Sequence, residues 1–103
     1  MCRLLCIDAS NRPKEIPKNK WLTKDHEYTA VWVTIHVNQN SIQGVQLAEI
    51  NLDETCHPYE SFRLSRFAIN IEDLEEFIKL AQECSDIDVA NLKELIESEI
   101  EIL

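Results

Sequence analysis

Residues 27–37, EYTAVWVTIHV, are dense in β-branched and aromatic side chains, a composition that fits a pleated, half-buried strand. Period-two alternation puts Tyr28, Ala30, Trp32, Thr34 and His36 on one face. It puts Thr29, Val31, Val33, Ile35 and Val37 on the other, and this second set is the more uniformly apolar. The pattern therefore assigns the second set to the core and leaves Trp32 partly exposed outside.

Shorter strand-like runs flank this one. RLLCID (3–8) is apolar and ends in a turn-forming aspartate. Residues 9–24 hold Pro13 and Pro17, which exclude a central strand, and Ile16, Trp21 and Leu22 are the side chains able to pin this loop. NQNSIQG (38–44), with the chain's single glycine at Gly44, reads as a hairpin connection. VQLAEI (45–50) alternates, with Val45, Leu47 and Glu49 on one side. NLDETCHPYE (51–60) is a polar loop, and in SFRLSRFAI (61–69) the positions of Phe62, Leu64 and Phe67 break alternation, predicting a turn near Leu64, Ser65 and Arg66. Five short strands with irregular corners predict a small, strongly bent antiparallel barrel over residues 1–69.

The period changes after Asn70, a good N-cap, which Glu72 and Asp73 follow in the first turn. Ile71, Leu74, Phe77, Ile78 and Ala81 keep helical spacing. ECSDID (83–88) interrupts it, with Ser85 or Asp88 able to cap a second helix and Ser85 to Asp88 fitting a capping box. Val89, Leu92, Leu95, Ile96, Ile100 and Leu103 form the second apolar stripe. Residues 70–103 thus read as a helical hairpin, and the whole chain as an α+β fold in one packed unit. Each stripe must be buried, on the barrel or on a second copy, so the pattern allows a monomer or a homodimer through the helices.

Charge sharpens this division. Residues 1–70 carry eight acids and eight bases, whereas residues 71–103 carry eleven acids and two bases, so the net charge of −9 resides in the last third. The one basic run, RPKEIPKNK (12–20), lies in the proline loop. An apolar share of 45% suits a globular chain, and no apolar run is long enough to span a membrane or serve as a leader. The expectation is a cytoplasmic protein with reduced thiols. Cys2 and Cys6 on one strand would stand about 13 Å apart, too far to share a zinc ion, so neither a metal nor another cofactor is expected.

CIDAS (6–10), EYTAV (27–31), LAEI (47–50) and FRLSRFA (62–68) occur in an order that resembles a group of small proteins from bacteriophages and bacteria. The resemblance covers roughly residues 3–69. It implies an SH3-like barrel of mobile-element origin and carries no activity or functional residues with it. The prolines at 13 and 17 and the acidic helical extension depart from the plainer members.

Catalytic chemistry finds little support. Cys56 beside His57 is the best thiol–imidazole pair, but no glycine-built oxyanion turn accompanies it, and a single glycine excludes a phosphate-binding glycine loop. A non-enzymatic role is therefore expected. The leading expectation is a protein-interaction module acting through the acidic face Glu94, Glu97, Glu99 and Glu101 and a barrel rim at Trp21 and Trp32. On the phage resemblance, this would be an inhibitor of a host defence protein. The alternative is nucleic-acid binding, with Arg12, Lys14, Lys18, Lys20 and Lys24 contacting phosphates beside Trp21. The bland reading of the acids is a solvated helix face that keeps the protein soluble, and the helices are expected to fold back on the barrel with their acids near the basic loop.

Overall fold

The computed structural model describes residues 2–36, 41–85 and 87–103. Strands β1 (Cys2–Cys6), β2 (Glu27–His36), β3 (Ser41–Leu47), β4 (Phe67–Ile69) and β5 (Glu101–Ile102) form one sheet, ordered β3-β2-β1-β4-β5. The sheet curls into a half-barrel, and two helices, α1 (Ile71–Glu83) and α2 (Val89–Glu99), pack on it. All pairings are antiparallel except β4–β5, which is parallel. The turn expected between Phe62 and Phe67 is a single 3₁₀ turn, Leu64–Arg66.

In β2 the structure corrects the face assignment. Tyr28 and Ala30 are buried, Val31 and Trp32 are both about half exposed, and Val33 is fully buried. The cause is a β-bulge. Ala30 pairs with Leu47 and Trp32 with Gln46, so Val31 is an extra residue with no opposite number. A bulge of this kind reverses the inward and outward positions beyond it. The first half of β2 therefore follows one phase of the alternation and Val33 the other. The expectation for Val37 lies outside the described residues.

Gly44 is also reassigned. It lies inside β3, which begins at Ser41 and ends at Leu47, rather than in a connection. Val45 and Phe62 exchange two backbone hydrogen bonds, of 2.8 and 2.9 Å. A Cβ at position 44 would stand 2.5 Å from the Phe62 carbonyl oxygen and 2.5 Å from Ser61 Oγ. The absence of a side chain is what lets the chain at Phe62 lie on the outer edge of β3. That contact and the β1–β4 pairing draw the sheet round on itself.

The helices form as their spacing predicts. Leu74, Phe77, Ile78 and Ala81 of α1 are buried, as are Leu92 and Ile96 of α2, while Leu95 is half-buried. At about 1.5–3 kcal/mol per large side chain, this burial is what chiefly holds the helices to the sheet. Ile71 and Val89, at the helix starts, remain exposed. Asn70 occupies the N-cap of α1 without a side-chain capping bond, and Asp88 caps α2 by accepting from the Ala90 N–H at 3.0 Å. Ser85 Oγ instead accepts from the Ile87 N–H. Residue 86 of the expected capping box lies outside the described residues.

The second helix stops at Glu99, earlier than its stripe implies. Ile100 is extended and buried, and Glu101 and Ile102 join the sheet beside β4. The Leu103 N–H donates to the Ile69 carbonyl at 2.8 Å, and the Leu103 side chain is exposed. Residues 70–103 are thus a helical pair plus a short strand, and one sheet spans both ends of the chain. The Cys84 thiol accepts from the Val33 N–H at 3.4 Å. Beyond Ala30, β2 has no described β1 partner, so the end of α1 covers an otherwise open edge there.

Gly44→Ala should destabilise the fold by about 1–3 kcal/mol, the usual range for overpacking. Urea unfolding is expected to show a lowered midpoint with an unchanged slope.

Candidate ligand-binding groove

The loop between β1 and β2 is held against the half-barrel by identifiable contacts. Ile16 and Leu22 are buried, as expected of anchors, and Trp21 is half-buried. The Trp21 Nε1–H donates to the Ala9 carbonyl at 2.7 Å. Its ring meets Phe62 with centroids 5.8 Å apart, tilted by 55°. The Arg66 guanidinium lies 4.9 Å from the same ring, a cation–π contact of about 0.5–2 kcal/mol. Arg66 Nη1 also donates to the Ser10 carbonyl at 2.8 Å and lies 3.6 Å from an Asp8 carboxylate oxygen. Bonds from Ser10, and then the Arg66 charge, hold the Asp8 pKa below its ordinary value.

A second segment, residues 51–63, faces this loop. Asp53 accepts from the Thr55 N–H and caps the 3₁₀ turn Glu54–Cys56. Its other carboxylate oxygen pairs with Lys20. The Lys20 and Thr55 bonds pull the Asp53 pKa from 3.8 to about 2, and the same ion pair raises that of Lys20. The partner of this loop lysine is thus Asp53 on a neighbouring loop, not a helix acid as expected.

Between the two segments runs a groove of about 530 Å³. Asn11, Pro13 and Trp21 line it from one side and Pro58, Tyr59, Glu60 and Arg63 from the other, with Phe62 and Arg66 also contributing. Tyr59 is 38% exposed and Arg63 is exposed, whereas Trp21 and Phe62 are locked by the contacts above. A smaller hollow of about 330 Å³ lies beside the bulge, lined by Val31, Ala48, Ile50 and Leu52 among others.

The expected site residues fall into separate groups. Trp21 lines the groove, whereas Trp32 lies on β2 opposite Gln46 and does not. Of the five expected phosphate-binding cations, Arg12 is bonded to the Ile16 carbonyl and Lys20 to Asp53. Lys14, Lys18 and Lys24 are exposed. Glu94, Glu97 and Glu99 are exposed on α2, but Glu101 belongs to β5, so the four acids do not share one helix face. Desolvation of its carboxyl by the neighbouring protein raises the Glu99 pKa. Tyr59, Arg63 and Gln43 line the groove and were not among the expected binding residues. The aromatic at position 59 of an otherwise polar loop was the available signal for Tyr59.

Thiol chemistry is restricted by burial. Cys2, Cys6 and Cys56 are buried, and Cys84 is half-buried. Desolvation pushes the Cys2 thiol up to about 12 and also raises Cys6. Cys56 lies under its loop, 4.0 Å from Asp53 Oδ1, while the adjacent His57 is exposed. Among the described residues, no group of three or more His, Cys, Asp or Glu side chains could hold a metal ion, and no helix is long and apolar enough to cross a membrane.

Comparison with known proteins found no matching family model, no similar curated protein and no similar solved structure.

Two outcomes follow from these environments. Because the folded pKa of Asp53 is depressed, its contribution to stability is complete above pH 3.8 and lost as pH falls through about 2. Carbon-13 NMR titration of the carboxyl should place its midpoint near the lower value, and Lys20→Ala should move it back up. In the native protein, iodoacetamide at mildly alkaline pH should modify Cys84 ahead of the three buried cysteines. Fast labelling of Cys56 would instead restore a reactive thiol at that position.

Proposed function

We propose that this chain is a non-enzymatic protein-interaction module built on an SH3-like barrel, with the groove between the two loops as its binding site. The observation that carries this reading is a preformed concavity with an immobilised indole on one wall and an exposed phenol on the other. Rigid aromatic surface of this kind supplies contact area at low entropic cost and is typical of binding hot spots. In support of the barrel, β3, β2, β1 and β4 pair in order, and Phe62, just ahead of β4, pairs back onto β3. Burial of the Cys56 thiol disfavours the enzymatic alternative.

The acidic helices have a role in this proposal as a solvated outer layer. Their apolar stripes face the sheet, and most of their acids face water. Such a surface keeps a small protein soluble. The nucleic-acid reading is weakened because two of its five cations, Arg12 and Lys20, are engaged within the protein.

The test is partner capture from an extract of the source cell on the immobilised full chain. Tyr59→Ala should reduce retention of the bound protein about tenfold or more. Neutralising Glu94, Glu97 and Glu99 together should change it little. Retention lost only with the glutamate variant would move the contact to the helices. A salt-sensitive gel shift with single-stranded DNA, weakened by Lys18→Ala, would replace the reading with nucleic-acid binding.

A further inference from the structure

We infer that the groove takes an extended acidic peptide segment, an apolar side chain lying between Trp21 and Tyr59 and a carboxylate meeting Arg63 and Arg66. This rests on the protein-interaction reading and adds the chemistry of the partner. Local charge selects an acid. Within a chain of net charge −9, the groove is lined by two arginines and one acid, Glu60; Arg66 already lies 3.6 Å from the Asp8 carboxylate, so the exposed Arg63 is the main draw for an acid. Arg63 is exposed, and the described bonds of the Arg66 guanidinium all leave from Nη1. An arginine presents five N–H donors in a fixed fork that suits a carboxylate. At physiological salt the field of the distant acids is screened beyond about 8 Å, so the nearby arginines decide what enters.

Glu60 separates a peptide from a nucleic acid. A polyanion carries a charge at every step and would meet this carboxylate as well as the arginines. A peptide can alternate acids with uncharged residues and place an amide opposite Glu60. The amides of Asn11 and Gln43 and the hydroxyl of Ser61 also line the groove and can both donate to and accept from an extended backbone. The apolar contact is prepared in advance. Trp21 is fixed through Ala9, Phe62 and Arg66 before any ligand arrives, so that wall requires no reordering on binding.

The experiment is fluorescence anisotropy with the full chain and labelled ten-residue peptides of leucine, glycine and glutamate. Matched peptides carry lysine or glutamine in place of glutamate, and a ten-residue oligothymidine is included. The acidic peptide should bind roughly tenfold tighter than the glutamine peptide, with affinity falling as salt rises. Arg63→Glu should abolish that preference, and Tyr59→Ala should weaken binding of the acidic peptide. Both side chains are exposed, so an unchanged thermal midpoint is expected to confirm intact folding. Equal binding of all three peptides, or a preference for the lysine peptide, overturns the inference while leaving a peptide-binding groove in place. Binding of the oligothymidine alone overturns both readings. Failure of every peptide to bind, with partner capture unaffected by Tyr59→Ala, also overturns the inference and moves the contact to another surface.

Discussion

The approach of the Phe62 backbone to Gly44 is the constraint on which the rest of the architecture depends. A sheet with β3 as a bare edge would offer unpaired N–H and C=O groups to any passing strand. Here Val45 and Phe62 exchange both hydrogen bonds across a gap that no side chain at position 44 could share. The same contact buries Phe62 against Trp21, seats the Leu64–Arg66 turn over the core and carries the chain on to β4 beside β1. The same contact therefore curls the sheet and places one groove wall. The residues that line the groove on that side, Tyr59 to Arg63, are placed by the pairing at Phe62.

The opposite wall depends on Arg66, the last residue of that turn. Its guanidinium stacks on Trp21 and bonds the carbonyls of Asp8 and Ser10. One side chain thus fastens the start of a long loop and the face of its indole at once. The Lys20–Asp53 pair joins the later part of the loop to the facing segment. Exposed ion pairs of this kind contribute little individually, so their effect is on the relative placement of the two walls more than on global stability. The main stability comes from the apolar layer between the helices and the curled sheet.

Electrostatics divides the molecule in a way that packing tolerates. The acids of α1 and α2 lie mostly on the faces turned from the sheet, because Leu74, Phe77, Ile78, Leu92 and Ile96 occupy the inner faces. No basic surface is needed to hold them down. The basic loop uses two of its charges locally, Arg12 on a carbonyl and Lys20 on Asp53.

The chain's periodicity determined the two helices, the strand character of residues 27–36, the turn at Leu64–Arg66 and the anchoring of the proline loop by Ile16, Trp21 and Leu22. These are local properties: spacing of apolar residues, β-branching, caps and prolines act over a few positions and leave a direct trace. The charge division between the two parts was legible for the same reason. What only the tertiary structure decided are features that need two distant segments at once. The bulge at Val31 depends on the register against β3, and it moved Tyr28 and Ala30 inward against the simple alternation. Gly44 resembles a turn residue until Phe62 is seen lying on it. Ile100 to Leu103 continue a helical stripe by spacing, yet Glu101 and Ile102 pair with β4 and the Leu103 N–H bonds the Ile69 carbonyl. The groove belongs to this second class, since Trp21, Tyr59, Arg63 and Arg66 meet only when the sheet has curled.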